Sequence, residues 1–387
     1  MDKNLTVVLT IKGRHLHTLR WLWHANRIRL PFHVIVADGE VHPVIDRLIS
    51  DPTTFPDLSY EYHRYEDRSL KDYYAKIADA LAKVKTPYVM MTDNDDFLMP
   101  FGIGKTLAFL EAAPEYVCAG GGIPGFSLAD RSHKIPGVTG SFGHINYRYI
   151  SNGWYHCRDV DSPLASDRVL EEIRNPLAVH YNVYRTRERK EIADDVVAIN
   201  PSLILCEMFV AMRTMTLGKV KSDPSYFIYF RQQGSTQMLG YSKDLVDDIL
   251  YSNLSEDFKQ ATAKITNEVS YIEAIDPQRL KDQVYSAYAD QLRMRLVNTM
   301  LRYRFPRLFA VKQFLQSLPR PSLPARLQRR MALRKLWQRL AADGADHGTI
   351  AAHAAEICAI EETLQRGDFS RFVINKSSEL VAESTSN

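Results

Sequence analysis

Thr86 to Pro100 reads TPYVMMTDNDDFLMP, an apolar run that empties into Asp93-Asn94-Asp95-Asp96. An apolar run of this length bounded by turn signals predicts a buried strand. Carboxylates at its carboxyl end lie where open α/β sheets take their ligands. Crowding three acids there is unfavourable unless a cation or a proton offsets the repulsion. Hard oxygen ligands suit Mg²⁺ or Mn²⁺, and Mg²⁺ takes one or two carboxylates plus substrate phosphates. Asp93, Asp95 and Asp96 are therefore candidate metal ligands, with Asp93 and Asp95 as a clamp on a metal and a diphosphate. A solvated acidic turn is the alternative, and the strand ahead of it favours a site.

Further groups fall on the same edge. Asp38 closes a second apolar run, FHVIVA. A carboxylate there accepts hydrogen bonds from a nucleotide's base or ribose; a plain Asp-Gly turn is the alternative. Thr10, Lys12 and Arg14 close the first run, LTVVLTI, within reach of phosphates. Arg68 and Lys71 add positive charge near the third strand.

The elements that must position these groups alternate. Strands are predicted at 5–11, 32–37, 58–65 and 88–91, with helices at 16–27 and 70–84 between them. In the first helix Leu16, Leu19, Leu22 and Trp23 share a side; in the second, Tyr73, Ile77, Ala80, Leu81 and Val84 fall at helical spacing. This alternation implies βαβ units, a doubly wound, mostly parallel sheet and the α/β class. A helix over 102–113 and a short strand at 116–119 follow, then a Gly-, Ser- and aromatic-rich stretch over 120–153 read as loops. Helices at 167–174 and 203–217, the latter closed by Gly218, and strands at 178–184 and 226–231 complete the first part. From Ser242 onward the pattern is helical, so the chain divides into residues 1–240 and a mainly helical 241–387.

Bulk properties fit a globular chain of 387 residues, 45% hydrophobic and 25% charged, with net charge +3. The charge is unevenly spread. Arg302 to Ala342 carries eleven Lys or Arg and no acid, so the remainder is net acidic. Cys118, Cys157, Cys206 and Cys358 have no metal spacing, which fits reduced, mostly buried thiols in a cytoplasmic protein. The apolar stretch in MDKNLTVVLTIKGR is too short for a signal peptide, and no run reaches a membrane-spanning length.

LTVVLTIKGRHLHTLRWL, FHVIVADGE and SLKDYYAKIADALAKVKTPYVMMTDNDDFLMPFGI together resemble the nucleotide-binding half of GT-A glycosyltransferases of the family 2 type. The resemblance covers residues 4–240. It implies that Thr10 stands at the family's first-strand Thr, Asp38 at its base-contacting Asp, and Asp93-Asn94-Asp95-Asp96 at its D-x-D-D metal and ribose motif. Leu205-Cys206-Glu207-Met208-Phe209 is similar to the helix that carries the general base of an inverting reaction. The usual acidic pair is here one carboxylate, Glu207, with Asp194 and Asp195 in reserve as bases. Tyr229 to Thr236 resembles a loop that folds over the diphosphate, implying donor contacts from Arg231, Gln233 and Ser235, with Gln233 where the family has His. The implied activity is metal-dependent transfer of a sugar from a nucleotide-sugar donor to a glycan or lipid-linked acceptor, in surface polysaccharide biosynthesis. His180-Tyr181-Asn182 can line the acceptor pocket, and Trp154, Tyr155 and His156 can stack on a sugar ring.

Residues 302–340 interleave Arg and Lys with Leu, Phe, Met and Trp337, a composition that suits an anionic membrane surface. A solvated basic face, or docking on the acidic body, reads equally well from the same residues. No recognition motif accompanies the charge, so nucleic acid is not an expected partner. Other functional classes remain open. A nucleotidyltransferase shares the sheet and acidic site, although Lys12-Gly13-Arg14 is a poor version of its Gly-rich signature. A non-catalytic nucleotide-sugar or glycan-binding module is the third.

Overall fold

A computed structural model describes residues 4–42, 44–128, 145–146, 157–232, 254–308, 310–311 and 325–365. Its centre is a seven-stranded sheet built mostly from the expected runs. Strands β1 (Leu5–Ile11), β2 (His33–Asp38), β3 (Tyr60–Arg64) and β4 (Tyr88–Asp93) are mutually parallel. Helices α1 (His15–Arg27), the short α2 (Asp46–Ser50) and α3 (Leu70–Lys83) make the crossovers. All seven residues of β1 are buried, as a central strand covered on both faces requires. Ser69 caps α3, its hydroxyl accepting from the Asp72 amide at 3.2 Å.

Beyond β4 come β5 (Phe97–Leu98), α4 (Pro100–Ala112), β6 (Tyr116–Gly122), β7 (Gly125–Leu128) and β8 (Ile145–Asn146). Then follow α5 (Ala165–Arg174), β9 (Val183–Arg185), α6 (Thr186–Ile199), α7 (Leu203–Leu217), β10 (Lys219–Phe227) and β11 (Tyr229–Gln232). The main sheet runs β10-β6-β9-β4-β1-β2-β3, with β9 antiparallel to both its neighbours. A smaller sheet runs β5-β11-β7-β8. The strand expected over 178–184 is instead a 3₁₀ turn, Val179–Tyr181, followed by three-residue β9. Gly218 does close α7, but in extended backbone with φ 173°. Its fitness there is close approach: a Cβ would lie 3.1 Å from the Glu115 carbonyl oxygen.

Apolar packing divides between the two faces of the sheet. One core gathers α3, α5, α6 and α7 with two later helices, α8 (Leu254–Glu273) and α9 (Pro277–Arg304); the other lies under α1 and α4. Helices α10 (Ala325–Ala342) and α11 (His347–Gln365) dock through Leu336, Leu340, Ile357, Ile360 and Leu364 on Phe97, Phe126, Phe227 and Phe230. The region after residue 240 thus packs on the body at two places. It also reaches α1, where the buried His24 ring bonds the Thr363 hydroxyl at 2.7 Å and Arg27 pairs with Glu362 at 2.8 Å. Within the basic segment, Leu336 and Leu340 are spent on this docking, while Tyr303, Phe305, Leu308 and Val311 stay exposed. No helix among the described residues is long and apolar enough to cross a membrane. All four cysteines are free; Cys118 and Cys206 are buried and Cys358 is exposed.

Candidate active site

Parallel register brings the chemistry to one edge. Thr10 stands beside Asp93 across β1 and β4, and Ile11 stands beside Asp38 across β1 and β2. A cavity of about 620 Å³ opens along this carboxyl edge, between the strand ends and helices α3, α6 and α7. Thr10, Arg14, Asp93, Asp95, Glu207 and Arg231 all line it.

Asp93 accepts from the Thr10 hydroxyl at 3.3 Å and the Tyr181 hydroxyl at 2.7 Å. Burial, then the charge of Asp95, pushes its carboxyl above the ordinary range; Tyr181 and Arg14 oppose the shift. Asp95 is gripped by both terminal nitrogens of Arg14, at 2.9 and 3.0 Å, a bidentate fork. Arg14 also donates to the Asn94 side-chain oxygen, and Asn94 in turn donates to Thr18 at 2.9 Å. Gly13 and Arg14 take left-handed backbone, φ 62° and 49°, which turns the Arg14 side chain back over the acidic turn. At Arg14 this conformation costs about 1 kcal/mol, and the pair with Asp95 holds it.

Asp96, the third expected metal ligand, is not brought to the cavity with Asp93 and Asp95. It is 3% exposed, lies outside the cavity lining, and accepts from the Gln232 amide at 3.2 Å, with Arg231 Nε 3.7 Å away. Burial pushes it well above the carboxylate range. Asp93 and Asp95 face the cavity, whereas this carboxylate faces inward and ties β11 to the turn. Behind it Arg20, fully buried, donates to the Gln232 side-chain oxygen at 2.9 Å and lies 5.2 Å from the Phe97 ring. Burial draws the Arg20 guanidinium down to about 9.

Asp38 sits one strand further along the edge, also 3% exposed and outside the lining. It accepts from the Tyr62 hydroxyl at 2.9 Å and the Glu40 amide at 2.9 Å, and burial raises it against those bonds. Lys71 is exposed and is not brought to the cavity, because Leu70, Tyr73, Tyr74 and Ile77 are the face α3 turns inward. Lys76 is there instead, 2% exposed and 2.5 Å from Asp67. Lys12 and Arg68 line the rim.

Glu207, in the second turn of α7, reaches the cavity wall from the helical side. Desolvation within the wall raises its carboxyl, opposed by Arg231 and reinforced by Asp93. Neither reserve base lines the cavity. Asp194 is exposed outside the lining; Asp195 is paired with Arg213 at 2.7 Å and Lys264 at 2.8 Å. Arg231 stacks over Tyr181 at 5.4 Å, on the cavity side of β11. His180 lines the cavity and is drawn down to about 3, first by burial and then by Arg189 and Arg231. Asn182 turns away and donates to the Cys118 sulfur at 3.7 Å. Gln233, Ser235, Trp154, Tyr155 and His156 lie outside the described residues.

As hosts for a divalent ion, Asp93 and Asp95 offer two hard oxygen donors, one of them unsettled by burial and by the other's charge. Among the described residues no three His, Cys, Asp or Glu converge into a complete cage. Two carboxylates with substrate phosphates completing the shell are the ordinary Mg²⁺ arrangement, so the residues fit the ion on those terms.

Arg189, on α6, also lines the cavity, although in sequence it is hidden in the charged run TRERKEIADD. The signal was its phase: Arg189, Ile192, Ala193 and Val196 share one helix face. Tyr181 is a pocket wall by sequence, and nothing in its neighbours in the chain marks its bond to Asp93.

No family model and no curated protein matches the chain. Among solved structures, S. aureus TarS is similar at 12% identity and TM-score 0.45, with 93% of this chain and 54% of that one covered. This chain thus spans about half the length of that protein. TarS 1–349 in complex with UDP-GlcNAc is similar at 13% identity and TM-score 0.46, covering 93% and 90%. TarS 1–349 in complex with UDP gives 12% and 0.44, covering 93% and 89%. At these values the likeness assigns nothing to the present chain.

Proposed function

We propose that this protein is a glycosyltransferase that moves a sugar from a nucleotide-sugar donor to a glycan or lipid-linked acceptor, with inversion. One observation carries the reading: one cavity at the sheet's carboxyl edge is lined by Asp93, Asp95, Lys12, Arg14 and Arg231 at the strand ends and by Glu207 from α7. That division matches the two demands of sugar transfer. The leaving diphosphate needs positive charge, which Lys12, Arg14 and Arg231 supply at the Asp93–Asp95 end. The acceptor hydroxyl needs a base, and Glu207 takes its proton as the new glycosidic bond forms and the diphosphate departs. A raised carboxyl suits that exchange, because its proton affinity is closer to neutrality. Held by Asp93 and Asp95, Mg²⁺ or Mn²⁺ would add charge neutralisation at the phosphates.

Asp38, one strand over, is the group assigned to the nucleoside, with Thr10 beside the diphosphate. The acceptor belongs to cell-surface polysaccharide synthesis on this reading, and the exposed Tyr303, Phe305 and Leu308 among arginines belong to an anionic membrane face.

The test is titration calorimetry with UDP, GDP and CMP, with and without Mn²⁺, followed by a donor screen that measures released nucleotide. Binding of one nucleotide, strengthened by Mn²⁺, with release from one sugar donor, is the expected result. Failure of all three nucleotides to bind removes the proposal.

A further inference from the structure

Among the described residues, Arg189 is a buried cation without an anion. It is 2% exposed and lines the cavity from α6. Its guanidinium carbon lies 5.1 Å from the Tyr184 ring centroid. Nη2 donates to the Met91 sulfur at 2.8 Å and approaches His180 Nδ1 at 3.4 Å. Nε is enclosed and has no hydrogen-bond partner. Among the described residues no carboxylate pairs with it.

That is an unusual way to bury an arginine, which is almost never enclosed unless paired. A thioether sulfur is a weak acceptor, and His180, held neutral, brings no charge. The neighbouring cations are matched. Lys76, equally buried, meets Asp67 at 2.5 Å; Arg14 has Asp95 at 2.9 Å; Arg231 lies 3.7 Å from Asp96. Glu207 does not fill the gap, since the charges acting on it are those of Arg231 and Asp93. What is missing is an anion, and the cavity is the open side.

We propose that Arg189 sets substrate specificity by taking a carboxylate or phosphate carried by the substrate into the helical half of the cavity. A guanidinium grips either group through two parallel N–H···O bonds. Leu70, Tyr73, Ala193, Val196 and Val210 wall that half with apolar surface, where such a bond is strengthened by the scarcity of water. The inference rests on the glycosyltransfer reading and narrows it. The anion belongs either to the donor, as a uronic acid sugar, or to the acceptor, as a phosphate or acidic glycan.

Inorganic sulfate is the first probe, titrated into the full chain saturated with whichever nucleoside diphosphate binds, so that the diphosphate end is occupied. Wild type is expected to bind sulfate; Arg189→Met should lose about tenfold or more in affinity, and Arg189→Lys less. Two matched pairs then locate the source. Donors bearing glucuronate and glucose are compared by kcat/KM, and glucose 6-phosphate and glucose by their stimulation of nucleotide release. A preference for the charged member in one pair, abolished by Arg189→Met with nucleotide affinity unchanged, supports the inference. Equal sulfate affinity in wild type and Arg189→Met, or no preference in either pair, overturns it. Melting temperature guards against a folding artefact. Removing an uncompensated buried charge should leave it equal or higher in the absence of anion. A large fall marks a structural arginine and also overturns the inference. If no nucleoside diphosphate binds, the glycosyltransfer reading falls alone, and sulfate titration of the free protein still reads Arg189.

Discussion

Tyr181 donates its hydroxyl to Asp93 at 2.7 Å, joining the 3₁₀ turn before β9 to the end of β4. The bond stabilises the ionised carboxylate that burial and Asp95 disfavour. Tyr181→Phe removes it and leaves Thr10, at 3.3 Å, as the remaining side-chain donor given to Asp93. Asp93 then titrates still higher, so the acid limb of Mn²⁺-dependent nucleotide binding moves to higher pH. Calorimetry across a pH series measures this, and an unmoved limb would show that Asp93 ionisation does not limit binding.

Glu207→Gln keeps the shape of the cavity wall and removes its proton acceptor. Turnover is expected to fall by about 10²–10⁴-fold while nucleotide affinity stays within a factor of about two. Product release followed against time separates the two effects. Full turnover in this variant moves the base to another group.

Arg14 already supplies a positive charge to Asp95. Arg14→Ala leaves Asp93 and Asp95 side by side with less to offset them. Nucleotide binding without metal should weaken by about tenfold or more, and the loss should shrink when Mn²⁺ replaces the missing charge. Equal losses with and without Mn²⁺ would mean that Arg14 contacts the phosphates rather than balancing the acids.

Much of this edge was legible because β1, β2 and β4 are uninterrupted apolar runs, and parallel strands buried on both faces leave that trace. Their carboxyl ends then name Thr10, Asp38 and Asp93 without further information. Direction within the acidic turn was not legible. Nothing in D-N-D-D says that Asp95 faces the cavity and Asp96 the protein, since a turn has no period to read. Three-residue β9 is too short for any pattern, and α6 begins in charges that read as solvent-facing. Lys71 is close to the third strand in sequence, whereas the 3.6-residue period of α3 turns Tyr73 and Ile77 inward and leaves Lys71 outside.

Glu172 predicts a pH dependence of stability that is separate from the site. It is 2% exposed on α5, accepts from the Leu177 amide at 2.9 Å, and leaves its other oxygen unpartnered. Burial lifts it from 4.5 to about 8. The folded state therefore holds a proton that the unfolded chain releases, and stability from this group is present below the unfolded value and lost as pH rises toward about 8. The slope for one proton is at most about 1.4 kcal/mol per pH unit. Glu172→Gln should flatten the denaturation midpoint over this range and exceed wild type at its upper end. A wild type whose stability climbs steadily across the same range contradicts the assignment.

His353 ties the C-terminal helices to the sheet, and its loss tests whether the region after residue 240 folds with the body. It is fully buried on α11, where Nε2 accepts from the Phe227 amide at 3.0 Å. That fixes the proton on Nδ1, which faces Glu356 at 2.9 Å. The other oxygen of Glu356 accepts from the Phe101 amide at 2.7 Å, in the first turn of α4. One side-chain pair thus satisfies a β10 amide and an α4 N-terminal amide together. His353→Ala leaves the Phe227 amide and one Glu356 oxygen short of a partner and opens a void beside Phe101 and Phe227, at a cost of about 2–4 kcal/mol. His353→Gln, which keeps an acceptor, should recover part of it. Denaturant unfolding of the full chain, followed by tryptophan fluorescence and by circular dichroism, should show one transition shifted as a unit. Two separate transitions, with only the later-melting one unmoved by the substitution, would instead establish the C-terminal helices as an independent folding unit.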